Sequence, residues 1–232
     1  MEYIKEAITR LTEEIAISAK KVDRDPADIT LMAVSKTQPI EKIIYAREEC
    51  DMHCFGENRV QELNEKFSTY PLSSELHMIG HLQSNKVKKV VEQVDWIDSV
   101  DSLKILEKIE KALQSTDRLI KVLFEFNTSR EDAKSGFTSK EELFEAIEAC
   151  FEMKHIEMRG LMTIGPLGGD EKELRIAFSE LRSLYYETIK CYPEIQFDTI
   201  SMGMSSDFRI AIEEGSTMVR IGTGIFGKRD YV

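Results

Sequence analysis

Ile4, Ile8, Leu11 and Ile15 recur at the 3.6-residue period of an amphipathic helix, with Glu6, Arg10, Glu13 and Glu14 filling the polar face between them. That helix must end before Asp25-Pro26, and the pattern then changes. Short continuous apolar runs, which suit strands buried on both faces, alternate with stretches of helical periodicity. The first run, Ile29 to Val34, ends at Ser35-Lys36 with Pro39 close behind. A helix over about 40–50 follows, then the strand His53-Cys54-Phe55-Gly56, a helix from Val60 through Phe67, and the strand Leu76 to Gly80. Ser84 or Asn85 is placed to cap a lysine-rich helix reaching Val94. Trp96 to Val100 and Ile120 to Phe126 read as the fourth and fifth strands, separated by a helix carrying Leu103, Leu106, Ile109 and Leu113.

Leu143, Ile147 and Phe151 mark the next helix, Ile156 to Ile164 the sixth strand, and Leu174, Phe178, Leu181 and Tyr185 a long helix. Phe197 to Met202 is the seventh strand, a short helix ends near Gly215, and Met218 to Ile221 is the eighth. Eight strands therefore alternate with seven helices. The N-terminal helix restores eight, placed to cover the barrel where no helix follows the last strand, so the count predicts an α/β chain folded as a single (β/α)8 barrel, a TIM barrel. An open doubly wound sheet uses the same alternation and is the structural competitor. No Pro/Gly/Ser-rich linker or low-complexity tract divides residues 1–232, which read as one domain.

Charge and cysteine usage narrow the class. With 42 acidic against 31 basic side chains the formal charge is −11, which disfavours nucleic acid and anionic membranes as partners. Cys50, Cys54, Cys150 and Cys191 form no C-x-x-C pair or zinc spacing, so reduced thiols in a cytoplasmic protein are the simplest account. The charged segment Met1 to Glu6 does not suit a signal peptide, and no window is apolar enough to span a membrane. Lys86, Lys88 and Lys89 read as a solvated helix face. His77 and His81 are four apart, but on a strand and its following loop that spacing fixes no shared face, and no metal site is expected.

Lys36 carries the candidate chemistry. An amine at the carboxyl end of a buried strand opens into a cleft with apolar walls, where desolvation disfavours its protonated form and frees a nucleophilic nitrogen able to form a Schiff base. A strand-end lysine can equally point into water. The loops after the seventh and eighth strands favour the first reading: Ser201-Met202-Gly203-Met204-Ser205 and Gly222-Thr223-Gly224 offer close backbone approach and hydroxyl donors, where barrels of this class build phosphate cradles. A Schiff-base lysine facing a phosphate cup specifies a phosphorylated aldehyde, and pyridoxal 5′-phosphate (PLP) is the obvious candidate.

Five blocks carry a resemblance to a known family: Leu31 to Thr37, Phe55-Gly56-Glu57-Asn58-Arg59, His77 to Lys86, Ser201 to Ser205, and Val219-Arg220-Ile221-Gly222-Thr223. In order and across nearly the whole chain, they resemble the pyridoxal phosphate homeostasis protein family. The resemblance implies the type III PLP-binding barrel of alanine racemase, with PLP on Lys36. It also implies phosphate contacts from Ser201, Gly203, Gly222 and Thr223, Arg220 near the pyridine nitrogen, and Asn58, His81 and Met162 around the cofactor. The chain departs from the family at Leu76, where an aromatic is usual, at Gln38, where lysine is frequent, and at Gly224, where alanine is common.

An arginine facing the pyridine nitrogen keeps it unprotonated and makes the ring a poor sink for carbanion electrons, where an aspartate would do the opposite. The expected function is reversible PLP holding on Lys36 in vitamin B6 homeostasis, with PLP-dependent apoenzymes as recipients and a monomeric state. The alternative is an amino-acid racemase of the alanine racemase type. Two-base racemisation needs a group on each side of the α-carbon. No convincing second base accompanies Lys36, Tyr231 sits at the terminus, and the chain stops at Val232 without a racemase-type β domain, so no catalytic residue is assigned. A Schiff-base aldolase would use Lys36 and the phosphate loops but gains nothing from Arg220.

Overall fold

The computed structural model describes residues 1–67, 74–131 and 134–227. Eight parallel strands close in sequential order, β1 (Thr30–Val34), β2 (Cys54–Glu57), β3 (Glu75–Met78), β4 (Trp96–Val100), β5 (Ile120–Glu125), β6 (Ile156–Met162), β7 (Thr199–Ser201) and β8 (Met218–Ile221). Closure is made by β1 against β8, Thr30 opposite Met218 through Ala33 opposite Ile221. The open doubly wound alternative is thereby excluded.

The outer layer comprises α1 (Glu2–Lys20), α2 (Ile40–Glu49), α3 (Val60–Phe67), α4 (Val87–Val91), α5 (Leu103–Leu113), α6 (Lys140–Cys150), α7 (Glu171–Cys191), α8 (Phe208–Glu213) and α9 (Thr223–Phe226). Several element ends differ from the periodicity, α4 stopping at Val91, β6 at Met162 and β7 spanning only Thr199–Ser201, and two helix starts differ as well. α4 starts at Val87, with neither Ser84 nor Asn85 as its cap; Lys86 occupies that position without a side-chain bond. A helix does follow the last strand: the four-residue α9, which Gly222 opens and α1 packs against. Four residues are too few for an apolar period to show in a sequence, and the N-terminal helix still covers this sector, with Ile4, Ile8, Leu11 and Ile15 buried.

Strand alternation divides the buried residues between two spaces. The main core lies between sheet and helices, built on residues such as Ala33, Phe55, Ile97, Val122, Leu161 and Val219. The barrel interior is filled by Met32, Val34, Cys54, Ile79 and Met218 on one side and Trp96, Leu123 and Met162 on the other. It also contains charge. His77 and Asp98 are fully buried and joined, Nδ1 to Oδ1, at 2.9 Å, with Trp96 stacked on the imidazole. Among the described residues no helix is long and apolar enough to cross a membrane.

Candidate functional site

β1 ends at Val34, and the chain turns through Ser35-Lys36-Thr37 at the carboxyl-terminal mouth of the barrel. Lys36 faces a cavity of about 310 Å³ whose walls also include Val34, Asn58, Ile79, Ile164, Met204, Ser205, Ser206, Arg220, Gly222 and Thr223. That is the size at which small ligands begin to be enclosed. Asn58 follows β2, Ile79 follows β3, Ile164 follows β6, Met204 to Ser206 follow β7, and Gly222 and Thr223 follow β8. Residues far apart in the chain thus meet here because every strand of a parallel barrel delivers its carboxyl end to one face.

Arg220 forms the floor of one side. It is almost wholly buried, donating from Nη1 to Ser201 Oγ at 2.6 Å and from Nη2 to the Thr163 carbonyl at 2.8 Å. Its backbone N–H donates to Gly203 O at 3.0 Å. Burial lowers its pKa from the ordinary guanidinium range, opposed by the carboxylates of Asp98, Glu125 and Asp207. Glu125 accepts from Ser135 Oγ at 3.0 and 3.1 Å, and burial raises its carboxyl above the usual range against those bonds. A fixed cation thus sits against the cavity with its counter-charges on the protein side.

Also lining the cavity, the hydroxyls of Thr223 and Ser205 lie 3.3 Å apart, and Ser205 Oγ accepts the Gly224 N–H at 3.3 Å. Hydroxyls, a glycine and the first turn of α9 therefore meet at one edge of the cavity, the donor chemistry a phosphate ester requires. Lys36, Arg220 and this donor edge suit an aldehyde, a ring nitrogen and a phosphate on one molecule.

Of the nine residues singled out in the sequence, Lys36, Asn58, Arg220, Gly222 and Thr223 line this cavity. Ser201 is fully buried, is not among the residues lining the cavity, and accepts from Arg220. Gly203 has φ +95° and its carbonyl serves Arg220; an added Cβ would come within 2.5 Å of the Ala211 side chain, so tight packing on α8 requires glycine here. Met162 is fully buried with Trp96 and Leu123 in the barrel interior. His81 points into a neighbouring, larger opening lined by Gln83, Ser84, Lys104, Lys134 and Ser135, where Nδ1 pairs with Asp101 at 2.9 Å and the side chain remains 58 % exposed. Ser206 went unremarked in the sequence and Ser205 was quoted only as part of its loop. The doublet after Gly203 is the one signal that pointed to them.

The alanine racemase N-terminal domain family matches residues 9–230. The pyridoxal phosphate homeostasis protein of Vibrio cholerae is 39 % identical over 100 % of this chain and 98 % of its own length. The chain belongs to the pyridoxal phosphate homeostasis protein family. Its Escherichia coli member is 37 % identical, covering 100 % of this chain and 99 % of that protein. PipY of Synechococcus elongatus, solved with PLP bound, superimposes with a TM-score of 0.82 at 32 % identity, over 97 % of this chain and 100 % of PipY. Alanine racemase of Clostridium difficile shares the fold at a TM-score of 0.73 and 15 % identity, this chain spanning 57 % of it.

Proposed function

We propose that this protein holds pyridoxal 5′-phosphate reversibly as a Schiff base on Lys36 and serves vitamin B6 homeostasis by buffering the free cofactor and releasing it to PLP-dependent apoenzymes. The observation that carries this reading is the convergence of Lys36, Arg220 and the Ser205–Thr223 edge on one cavity. The PLP-bound state of the related PipY supports the choice of ligand.

Each residue then has a role in binding. The Lys36 amine, once unprotonated, bonds the aldehyde carbon with loss of one water, and hydrolysis of the same bond returns the free aldehyde. Gly222, Thr223, Ser205 and Ser206 hold the phosphate, and Asn58 flanks the ring. Arg220 presents permanent N–H donors to the ring nitrogen and keeps a proton off it. When bound, PLP supplies an electrophilic carbon and an electron-accepting ring, and Arg220 weakens the second property. Ser201 and Gly203 act through Arg220, one at its side chain and one at its backbone.

A carrier is favoured over a racemase by what surrounds the amine. Among the described residues lining the cavity, none carries a carboxylate, thiol, imidazole or phenol to act as a second base. Tyr231 lies outside the described residues. Reduced thiols and a formal charge of −11 suit a cytoplasmic protein. A barrel with no open strand edge suits a monomer.

The test is addition of PLP to wild type and to Lys36→Ala. Imine absorbance appears in wild type alone, amino-acid turnover stays at background, and light scattering gives a monomer mass. An undiminished imine signal in Lys36→Ala would overturn the tether, and robust turnover of alanine by wild type would overturn the carrier reading.

A further inference from the structure

Lys36 lies between two residues whose backbones are gripped from behind the barrel. Alternation turns Val34 and Gly56 inward, which leaves Ser35 and Glu57 facing α3, where both are fully buried. One turn of α3 supplies Glu62 and Lys66 to them. Lys66 Nζ donates to the Ser35 carbonyl at 2.9 Å, to Glu57 Oε1 at 2.7 Å and to Glu62 Oε2 at 2.6 Å, an acceptor for each of three ammonium protons. Ser35 Oγ in turn lies 3.1 Å from Glu57 Oε2. On the other side of Lys36, the Thr37 N–H donates to Glu62 Oε2.

The backbone held in this way is strained. Thr37 has φ +62°, a left-handed conformation that a β-branched residue rarely adopts. Its hydroxyl bonds the Lys36 carbonyl at 2.6 Å, and Gln38 N–H closes the turn on Ser35 O at 3.0 Å. Such a residue persists only where its surroundings over-determine it. Here the surroundings are one side-chain cluster that binds the carbonyl before Lys36 and the amide after it. An ion pair serving stability alone has no need of those two backbone groups, and buried pairs of that kind exchange for apolar side chains at little cost.

We propose that Glu57, Lys66 and Glu62 form a clamp that positions Lys36, holding the turn from which its amine enters the cavity. None of the three lines the cavity, so they are positioning residues. The inference rests on the reading of Lys36 as the PLP-bearing lysine.

Its test uses the full chain with PLP as probe, in Lys66→Met, Glu62→Ala and Lys66→Arg, with Lys36→Ala as control. The readouts are the rate and midpoint of imine absorbance and hydrogen exchange at the Thr37 amide. Lys66→Met and Glu62→Ala are expected to slow imine formation at least tenfold and to speed Thr37 exchange by a similar factor, with Lys66→Arg recovering part of both. If Lys66→Met does not fold, the partly accessible Glu62→Ala carries the comparison. Imine rates within twofold of wild type overturn the clamp, as does slowed imine formation with an unchanged Thr37 amide, which would make the effect electrostatic. A wild type without an imine signal, or a Lys36→Ala that retains one, overturns the reading of Lys36 itself.

Discussion

Arg220 Nη1 lies 2.6 Å from Ser201 Oγ, inside the barrel and below the cavity floor. Ser201 Oγ accepts from the arginine and helps to orient it. Ser201→Ala leaves a buried guanidinium N–H without its acceptor, a loss of about 1–3 kcal/mol. Thermal unfolding should show the variant destabilised by that amount, with PLP retention weakened in step. Normal stability alongside a selective loss of inorganic phosphate competition would return Ser201 to the phosphate site.

Glu57 should make stability depend on pH in an unusual direction. Burial pushes its carboxyl up from 4.5 to about 7, against Lys66, with Glu62 adding to the rise. A carboxyl raised on folding contributes stability that is complete below its unfolded pKa and is lost as pH climbs through the folded one. Glu57→Gln deletes this titration. Its stability relative to wild type, read from urea unfolding, should increase between about pH 5 and pH 8 by up to about 3 kcal/mol. A difference that stays flat across that range would show Glu57 ionised throughout.

The pair in the barrel interior follows the same sign at higher pH. Burial works against a proton on His77, but the Asp98 carboxylate and then Cys54 outweigh it and raise the imidazole to about 10. A histidine raised on folding stabilises fully below its unfolded pKa near 6.5, and the contribution disappears as pH rises through about 10. Asp98→Ala strands a buried cation and should cost about 3–5 kcal/mol at neutral pH. The penalty should shrink when the same measurement is made above pH 10.

Gly203 and Gly168 offer a matched comparison of backbone and packing costs. Both have positive φ, +95° and +70°, but an alanine at 203 meets the Ala211 side chain at 2.5 Å while nothing lies within 4 Å of 168. Gly168→Ala should cost about 1 kcal/mol from conformation alone. Gly203→Ala adds overpacking of about 1–3 kcal/mol and should also disturb the Arg220 backbone bond. Equal melting temperatures for the two would count against the packing argument.

Much of the architecture was legible because it is written in short-range pattern. Runs such as Leu31 to Val34 and Trp96 to Val100, alternating with 3.6-period stretches, name buried parallel strands and their covering helices without reference to anything distant. α9 escaped because four residues cannot display a period, and the α4 cap escaped because hydroxyl and amide side chains at Ser84 and Asn85 suit caps and loops equally well. Lys36 was singled out because a strand end in a parallel barrel has only one face on which to act, and Arg220 because its block resembles a known family.

The side of a loop on which a residue falls was decided by tertiary structure. Ser201 and Ser205 stand four apart in one motif, yet Ser201 turns down onto Arg220 and Ser205 up to Thr223. His81 sits in the loop after the third strand but pairs with Asp101 in the next opening. The Glu57–Lys66–Glu62 clamp is an ordinary run of charges until β1, β2 and α3 are packed together. Sequence by itself determined the barrel and pointed to Lys36 and, through the family resemblance, to Arg220, because strands and helices follow from local periodicity and a parallel barrel gathers its strand ends on one face. Only the fold determined which donors face the cavity and which support it, because that depends on register and loop direction across strands remote in the chain.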